Sequence, residues 1–342
     1  MFNRRRLCNG SCVYPKPFLV QKLGWQTILR IIKNEVNAMK KILSLFLLFL
    51  IVICSSCSKD EYTLTVIAPS GAPGIALANI SHTYADEYSV ELNKTSDVLK
   101  AAFAEGNADV IVAPVNLGAS MYKASGTYQL ASVITWGNLY FASQKSDFKL
   151  EDLNGADVVL FGEGTINDVI VKYVLKEKNI TLGENSVYLA STQLTNQKLI
   201  SDENAIVLVA EPALSTAQSK KGNITAISVQ ELYKEVSGSN SYPQAGCFVR
   251  TSSAEEHQGV MDTFLERLEE SCALCTEKTS EIAGYAVELE LGSDQSVLEK
   301  AIPNSNIQYV KASNAKADIE KVAALSPAMF GGAAPAEGFY YA

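Results

Sequence analysis

The chain has 342 residues, 47% of them hydrophobic and 19% charged, with 29 basic against 37 acidic side chains and a formal net charge of −8 at pH 7. Nine of the basic residues and one acidic residue precede Cys57, so the remainder stands at −16, an acidic surface that argues against nucleic acid or anionic lipid as partner. The roughly 285 residues beyond Cys57 are long for one hydrophobic core and comfortable for two.

Residues 1–38 carry Arg4, Arg5, Arg6 and Trp25 with a single acidic group, Glu35, and they precede a complete secretion signal. They are expected to be an extension of the gene model ahead of an internal start at Met39. Residues 39–56 read as the signal peptide: Lys40 and Lys41 form the positive start, 42–53 an apolar run interrupted only by Ser44, and Ser55 and Ser56 a small-residue exit. At about 1.5 Å per residue that run falls well short of the ~30 Å of a bilayer's hydrocarbon, so cleavage is expected rather than a permanent span. The stretch resembles a bacterial lipoprotein signal, with Cys57 as the lipidated residue. Cys54, which follows the bulky Ile53, is its competitor. Residues 57–62 form a tether, and Ser58-Lys59-Asp60-Glu61 within it serves as a solvated linker or as an acidic surface-targeting tag.

Three of the seven cysteines, Cys247, Cys272 and Cys275, fall in the folded body. Cys272-Ala-Leu-Cys275 has metal or redox spacing, yet it stands in a helical pattern without a second such pair or a histidine pair nearby. Buried helix cysteines are the reading preferred, and a disulfide from Cys247 to either of them stays open.

From residue 62 the chain alternates short β-branched runs with amphipathic stretches, the pattern of an α/β protein with mainly parallel sheets. A strand is expected over 62–68, a turn over 69–74 into a helix reaching Ile80, a strand over 88–92, and a helix over 96–105 ended by Gly106. A buried strand follows over 108–112, and Ala113-Pro114-Val115-Asn116 opens another helix. Residues 128–143 are β-rich but interrupted by Trp136-Gly137-Asn138, which suits two strands or one that leaves one domain for the next. A second unit begins near Leu150 with a short helical turn over 150–155. A strand over 157–161, a glycine-rich turn over 162–165 and a helix over 166–178 follow, then strands over 187–190 and 205–209. After Tyr242-Pro243 comes a strand over 246–250, and from Ala254 onward the pattern is helical except for 307–310.

Four segments, taken in order, carry a family resemblance. Gly106-Asn107-Ala108-Asp109 resembles a G-x-x-D segment, and Leu150-Glu151-Asp152-Leu153-Asn154-Gly155 an L-x-D-L-x-G start of a second lobe. Val209-Ala210-Glu211-Pro212-Ala213 resembles an E-P segment, and Phe339-Tyr340-Tyr341 an aromatic tail. Together they resemble the type 2 periplasmic solute-binding proteins of ABC importers, in the branch that binds sulfonates, taurine and thiamine precursors. The resemblance implies a two-lobed α/β fold, lobe 1 being 63–143 plus 245–342 and lobe 2 being 146–241, with hinges near 143–146 and 241–246. It also implies a monomer in the cell envelope, on the periplasmic or surface side, with a small-molecule ligand, a membrane permease as partner, and no cofactor, metal or catalysis. Members that bind sulfonates often place a basic residue in the cleft, whereas the only arginines here beyond Cys57 are Arg250 and Arg267.

In such sheets ligands bind beyond the carboxyl ends of the strands. Ser70 and Gly71, and Gly164 and Thr165, stand at expected helix starts where free N–H groups would meet an acceptor-rich group; they serve equally as caps. Asn116, Thr135, Asn138 and Thr192 stand at strand ends as neutral donors or acceptors. Trp136 would stack on a ligand or fill the interdomain core. Glu211 would contact ligand or belong to a turn. The same fold serves some lyases and a pyrimidine synthase, but the chain offers no Ser-His-Asp order, HExxH or P-loop. A surface interaction lipoprotein is the remaining alternative.

Overall fold

The computed structural model describes residues 62–342 except 93 and 94, together with Gly24, Arg30 and Lys33, which are helical. The extension, the signal peptide and Cys57 otherwise lie outside the described residues. Among those described, no helix is long and apolar enough to cross a membrane.

Among the described residues eleven strands build two mixed sheets flanked by helices, the arrangement of a two-lobed periplasmic-binding-protein fold. They are β1 (Leu64–Ile67), β2 (Tyr88–Glu91), β3 (Val110–Pro114), β4 (Tyr128–Trp136), β5 (Leu139–Ser143), β6 (Val158–Phe161), β7 (Val187–Leu189), β8 (Ile206–Ala210), β9 (Thr225–Ser228), β10 (Pro243–Arg250) and β11 (Ile307–Lys311). The first sheet runs β11-β4-β10-β3-β1-β2 and the second β7-β6-β8-β5-β9.

Each sheet has a parallel half, β3-β1-β2 in one and β7-β6-β8 in the other, built from strands that alternate with helices. The other pairings are antiparallel, β10 with β3 and β4, β11 with β4, and β5 with β8 and β9. The expectation of mainly parallel sheets is corrected to mixed ones. β5 enters the second sheet directly from β4 with no helix between them and joins antiparallel, while β10 returns to the first sheet after helix Val229–Ser237 and also joins antiparallel.

The first crossing also differs from expectation. Gly137 and Asn138 separate β4 in the first sheet from β5 in the second, so 139–143 belongs with the second lobe and the crossing is not at 143–146. The return crossing is 238–242, because Pro243 already opens β10 and 243–246 is strand rather than hinge. Gly137 is required by close approach: a Cβ there would lie 2.0 Å from Gln230 Oε1 and 2.4 Å from the Tyr242 ring. The two crossings are tied together, since Gly137 N–H donates to Tyr242 O at 3.1 Å and Asn306 Nδ2 donates to Gly137 O at 3.1 Å.

Burial explains the strand choice. β3 reads Val-Ile-Val-Ala-Pro with its first four residues buried, as a central strand covered on both faces demands. One apolar cluster covers a face of the first sheet and continues through Trp136, Leu139, Phe141 and Tyr242 into the second; another covers the first sheet's opposite face. Short β9 and the helices Thr192–Ser201 and Val229–Ser237 escaped the sequence reading. β9 is an edge strand with every residue half-buried, and helix Thr192–Ser201 is largely polar, so neither carries a strong apolar period.

Cys247, Cys272 and Cys275 are free thiols, all buried. Burial pushes the Cys275 thiol up to about 12, as expected of apolar filling rather than reactive groups. The tail docks on the first lobe: Phe339 is fully buried and Tyr341 N–H donates to Leu130 O at 2.8 Å.

Asp109 knots the first sheet together. Its carboxylate accepts from Tyr62 Oη (2.7 Å), Thr65 N (2.8 Å), Thr65 Oγ1 (2.7 Å), Ser253 Oγ (2.6 Å) and Arg250 Nη2 (2.6 Å). Burial opposes its ionisation, but the hydrogen bonds from Ser253, Thr65 and Tyr62 prevail and hold the carboxyl at about 2. The G-x-x-D segment is therefore a structural knot joining β1, β3 and β10.

Candidate functional site

A cavity of about 210 Å³ lies between the two sheets, lined from both lobes by loops at strand ends. From the first lobe come Ser70 and Gly71 after β1, Thr135 near the end of β4, and Gln244 at the start of β10; Asn138 comes from the crossing. From the second come Gly162, Thr165 and Asn167 after β6, Thr192 after β7, and Glu211 after β8. Pro69, Pro73, Phe161, Ile166 and several alanines supply apolar walls. This volume is below the ~300–1,000 Å³ typical of drug-sized sites, so the space suits a small molecule.

The lobes touch across the cavity. Ile166 N–H, the first of helix Ile166–Glu177, donates to Asn116 Oδ1 at 3.1 Å. Gln244 Nε2 donates to Asn167 Oδ1 at 2.9 Å, and Gln193 Nε2 donates to Ser70 Oγ at 3.3 Å. Gly162, at φ 78°, occupies the left-handed region and lets the β6 loop turn sharply into that helix, with Thr165 Oγ1 donating back to its carbonyl at 2.6 Å.

The start of helix Ile166–Glu177, expected to face an acceptor, is engaged within the chain, whereas the start of helix Ala72–Ala76 at Ser70 and Gly71 carries no side-chain cap. Gly164 N–H donates to Asp168 Oδ2 at 3.3 Å, and Ser191 rather than Thr192 caps the next helix, accepting from Leu194 N. Thr192 Oγ1 instead accepts from Ala210 N at 3.0 Å, joining the ends of β7 and β8.

What remains open is a set of buried polar atoms. Asn138 is 4% exposed; its Nδ2 donates to Ser305 O at 3.3 Å, which fixes the amide's orientation, and its Oδ1 has no partner. Thr135 Oγ1 and Gln244 Oε1 are likewise buried and unpartnered. A buried polar atom without a partner costs about 1–3 kcal/mol, and three such atoms belong to residues that line this cavity.

Glu211 is 3% exposed and is the only ionisable group among the described residues lining the cavity. It accepts from Ser215 N (3.1 Å) and Ser215 Oγ (2.9 Å), one bond to each carboxylate oxygen. Burial pushes its carboxyl up to about 7, with the Ser215 bonds pulling the other way.

Of the residues singled out from sequence, Ser70, Gly71, Thr135, Asn138, Thr165, Thr192 and Glu211 line the cavity. Asn116 acts as a lock between lobes. Gly164 stands outside the lining, its N–H spent on Asp168. Trp136 also stands outside it: the ring is 5% exposed in the shared core and its Nε1–H donates to Gln308 O at 3.1 Å. The interdomain-core alternative describes its place: Trp136 follows Thr135 on β4, so its side chain points to the opposite face of the sheet. Gln244 and Asn167 were missed. Gln244's signal was a polar amide opening a strand otherwise buried through Val249.

Among solved structures the chain is similar to an ABC transporter protein from Parabacteroides distasonis, at 19% identity and a TM-score of 0.71, covering 82% of this chain and 99% of that one. It is similar to the ligand-binding component of an ABC-type import system from Staphylococcus aureus with zinc bound, at 11% identity, TM-score 0.65, and coverage of 82% and 97%. It is also similar to the alkanesulfonate-binding protein SsuA from Xanthomonas axonopodis pv. citri bound to MOPS, at 13% identity, TM-score 0.62, and coverage of 82% and 99%. These likenesses establish the fold. No family model matches the sequence, and no curated protein matches it. Among the described residues no group of three or more His, Cys, Asp or Glu side chains is placed to hold a metal ion.

Proposed function

We propose that this chain is the solute-binding component of an ABC-type importer, held to the bacterial envelope by a lipid on Cys57, and that it captures a small organic molecule between its lobes for a membrane permease. The observation that carries the reading is the interlobe cavity with Thr135 Oγ1, Asn138 Oδ1 and Gln244 Oε1 buried and unpartnered around it. A solute there completes those bonds and is enclosed as Asn116, Gln244 and Gln193 stitch the lobes together. Opening is a hinge motion at 137–138 and 238–242, the two segments that cross between sheets. The fold of the ABC-import neighbours supports the reading. In this reading the protein acts as a monomer and releases its solute unchanged.

The test is a thermal-shift screen of the full chain in detergent against sulfonates, taurine, carboxylates, amines, amidines, thiamine, pyrimidine precursors and amino acids. A solute at 100 times its dissociation constant adds about 2.7 kcal/mol, a rise of several degrees in Tm. Saturable binding with the solute recovered unchanged is the expected result; a flat response to every solute, or chemical conversion of a bound one, contradicts the proposal.

A further inference from the structure

Building on the solute-binding reading, we infer that the cleft selects a small organic cation, a protonated amine or amidine on a compact apolar body, and rejects sulfonates and carboxylates of the same size. The argument is an inventory of what the cavity leaves unspent. An anion needs donors or positive charge, and no Lys, Arg or His is among the described residues lining the cavity. Ile166 N–H, which would otherwise supply a donor at the mouth of the longest helix there, is taken by Asn116 Oδ1, and Gly164 N–H by Asp168. Each is occupied by an acceptor that a bound sulfonate would have to displace.

Among the groups left free, Asn138 Oδ1, Gln244 Oε1 and the Glu211 carboxylate only accept, the Thr135 hydroxyl can accept or donate, and the start of helix Ala72–Ala76 has no side-chain cap. Asn138 presents Oδ1, because Nδ2 can only be the group that meets the Ser305 carbonyl. Glu211 keeps lone pairs beyond those given to Ser215. The two residues are neighbours on the cavity wall, with Glu211 N–H donating to Asn138 O at 3.3 Å. An ammonium or amidinium, which carries only donors, satisfies both, while Phe161, Ile166 and the prolines receive its apolar remainder. An anion brought beside Glu211 meets a like charge in a buried site or must keep the carboxyl protonated. Burial has already raised that carboxyl, so ionising it is costly until a cation arrives to pair with it.

The experiment compares matched pairs on the full chain at pH 8: benzamidine with benzoate, and butylamine with butanesulfonate, by thermal shift and isothermal titration. The expected result is that benzamidine and butylamine raise Tm and the anions do not. Glu211→Gln is expected to weaken amidine binding by roughly thirtyfold or more, and Thr135→Val, which removes an unpartnered hydroxyl without changing shape, to weaken it several-fold with the melting curve retained. Anions binding while cations do not overturns the inference and leaves the solute-binding reading standing. Cation binding that both variants leave unchanged also overturns it, because the ion then sits elsewhere. Silence from all four probes overturns the inference, and the solute-binding reading falls with it only if the broad panel is silent too.

Discussion

Asp109 and Glu211 are buried to the same degree, 2% and 3% exposed, yet their surroundings are opposite. Asp109 receives five hydrogen bonds, one from a guanidinium, and its carboxyl is held at about 2. Glu211 receives two, both from Ser215, faces a cavity, and is pushed up to about 7. Burial penalises both charges; only the first is fully compensated within the chain. The lesson is that a completed carboxylate is part of the architecture, and an incomplete one beside unpartnered acceptors is an invitation to an outside group.

The contrast is broken most forcefully at Asp109. Asp109→Ala leaves Arg250, Thr65 and Ser253 without their shared acceptor, and is expected to cost about 3–5 kcal/mol in urea unfolding. A loss below 1 kcal/mol would show that the knot is ornamental. Glu211→Gln should act in the reverse direction, stabilising the ligand-free protein at pH 8 by up to about 3 kcal/mol, since the ionised carboxylate is the strained form there. Destabilisation by that substitution would mean that Glu211 is structural after all.

The pH dependence follows with opposite signs. Asp109 is lowered on folding, so its contribution is present above about pH 4 and is lost as pH falls towards 2. Glu211 is raised, so its contribution is present below its unfolded value near 4.5 and is lost as pH rises through about 7. Tyr140, the other titratable group coupled to Glu211, is pushed up to about 12 by burial and stays neutral throughout. Denaturant midpoints of the parent chain should therefore decline between pH 5 and 8, and Glu211→Gln should abolish that slope. The smallest effect is expected at Asn116: Asn116→Ala removes one interlobe hydrogen bond, costs about 1 kcal/mol, and should widen the ligand-free molecule in small-angle scattering. An unchanged scattering profile would show that this bond does not hold the lobes together.

Much of the fold was legible because its signals are local. β3 and β8 are runs of apolar residues that a central strand needs, and helix Ser96–Glu105 is bracketed by a Thr95 cap and Gly106 in the left-handed region. The direction of β5 and β10 was not legible, because pairing sense depends on where the crossing chain re-enters a sheet. Trp136-Gly137-Asn138 marked that crossing without revealing that the tryptophan turns into the core and the asparagine into the cleft. Thr135 stood out at a strand end and Ser70 at a helix start that offered either a cap or a ligand contact, while Glu211 offered either a turn or a ligand contact; all three line the cavity. Gln244 was not legible, nor was the spending of helix N–H groups on Asn116 and Asp168, because those contacts join segments 50 residues or more apart or depend on a side chain folding back one turn.

The most direct test is a crystal structure of the full chain with the solute that raises its Tm most. The account predicts that solute between the lobes, with a donor group on Glu211 and Asn138 Oδ1 and contacts to Thr135 and Gln244. A solute found outside this cavity, or one holding an anionic group against Glu211, would contradict it.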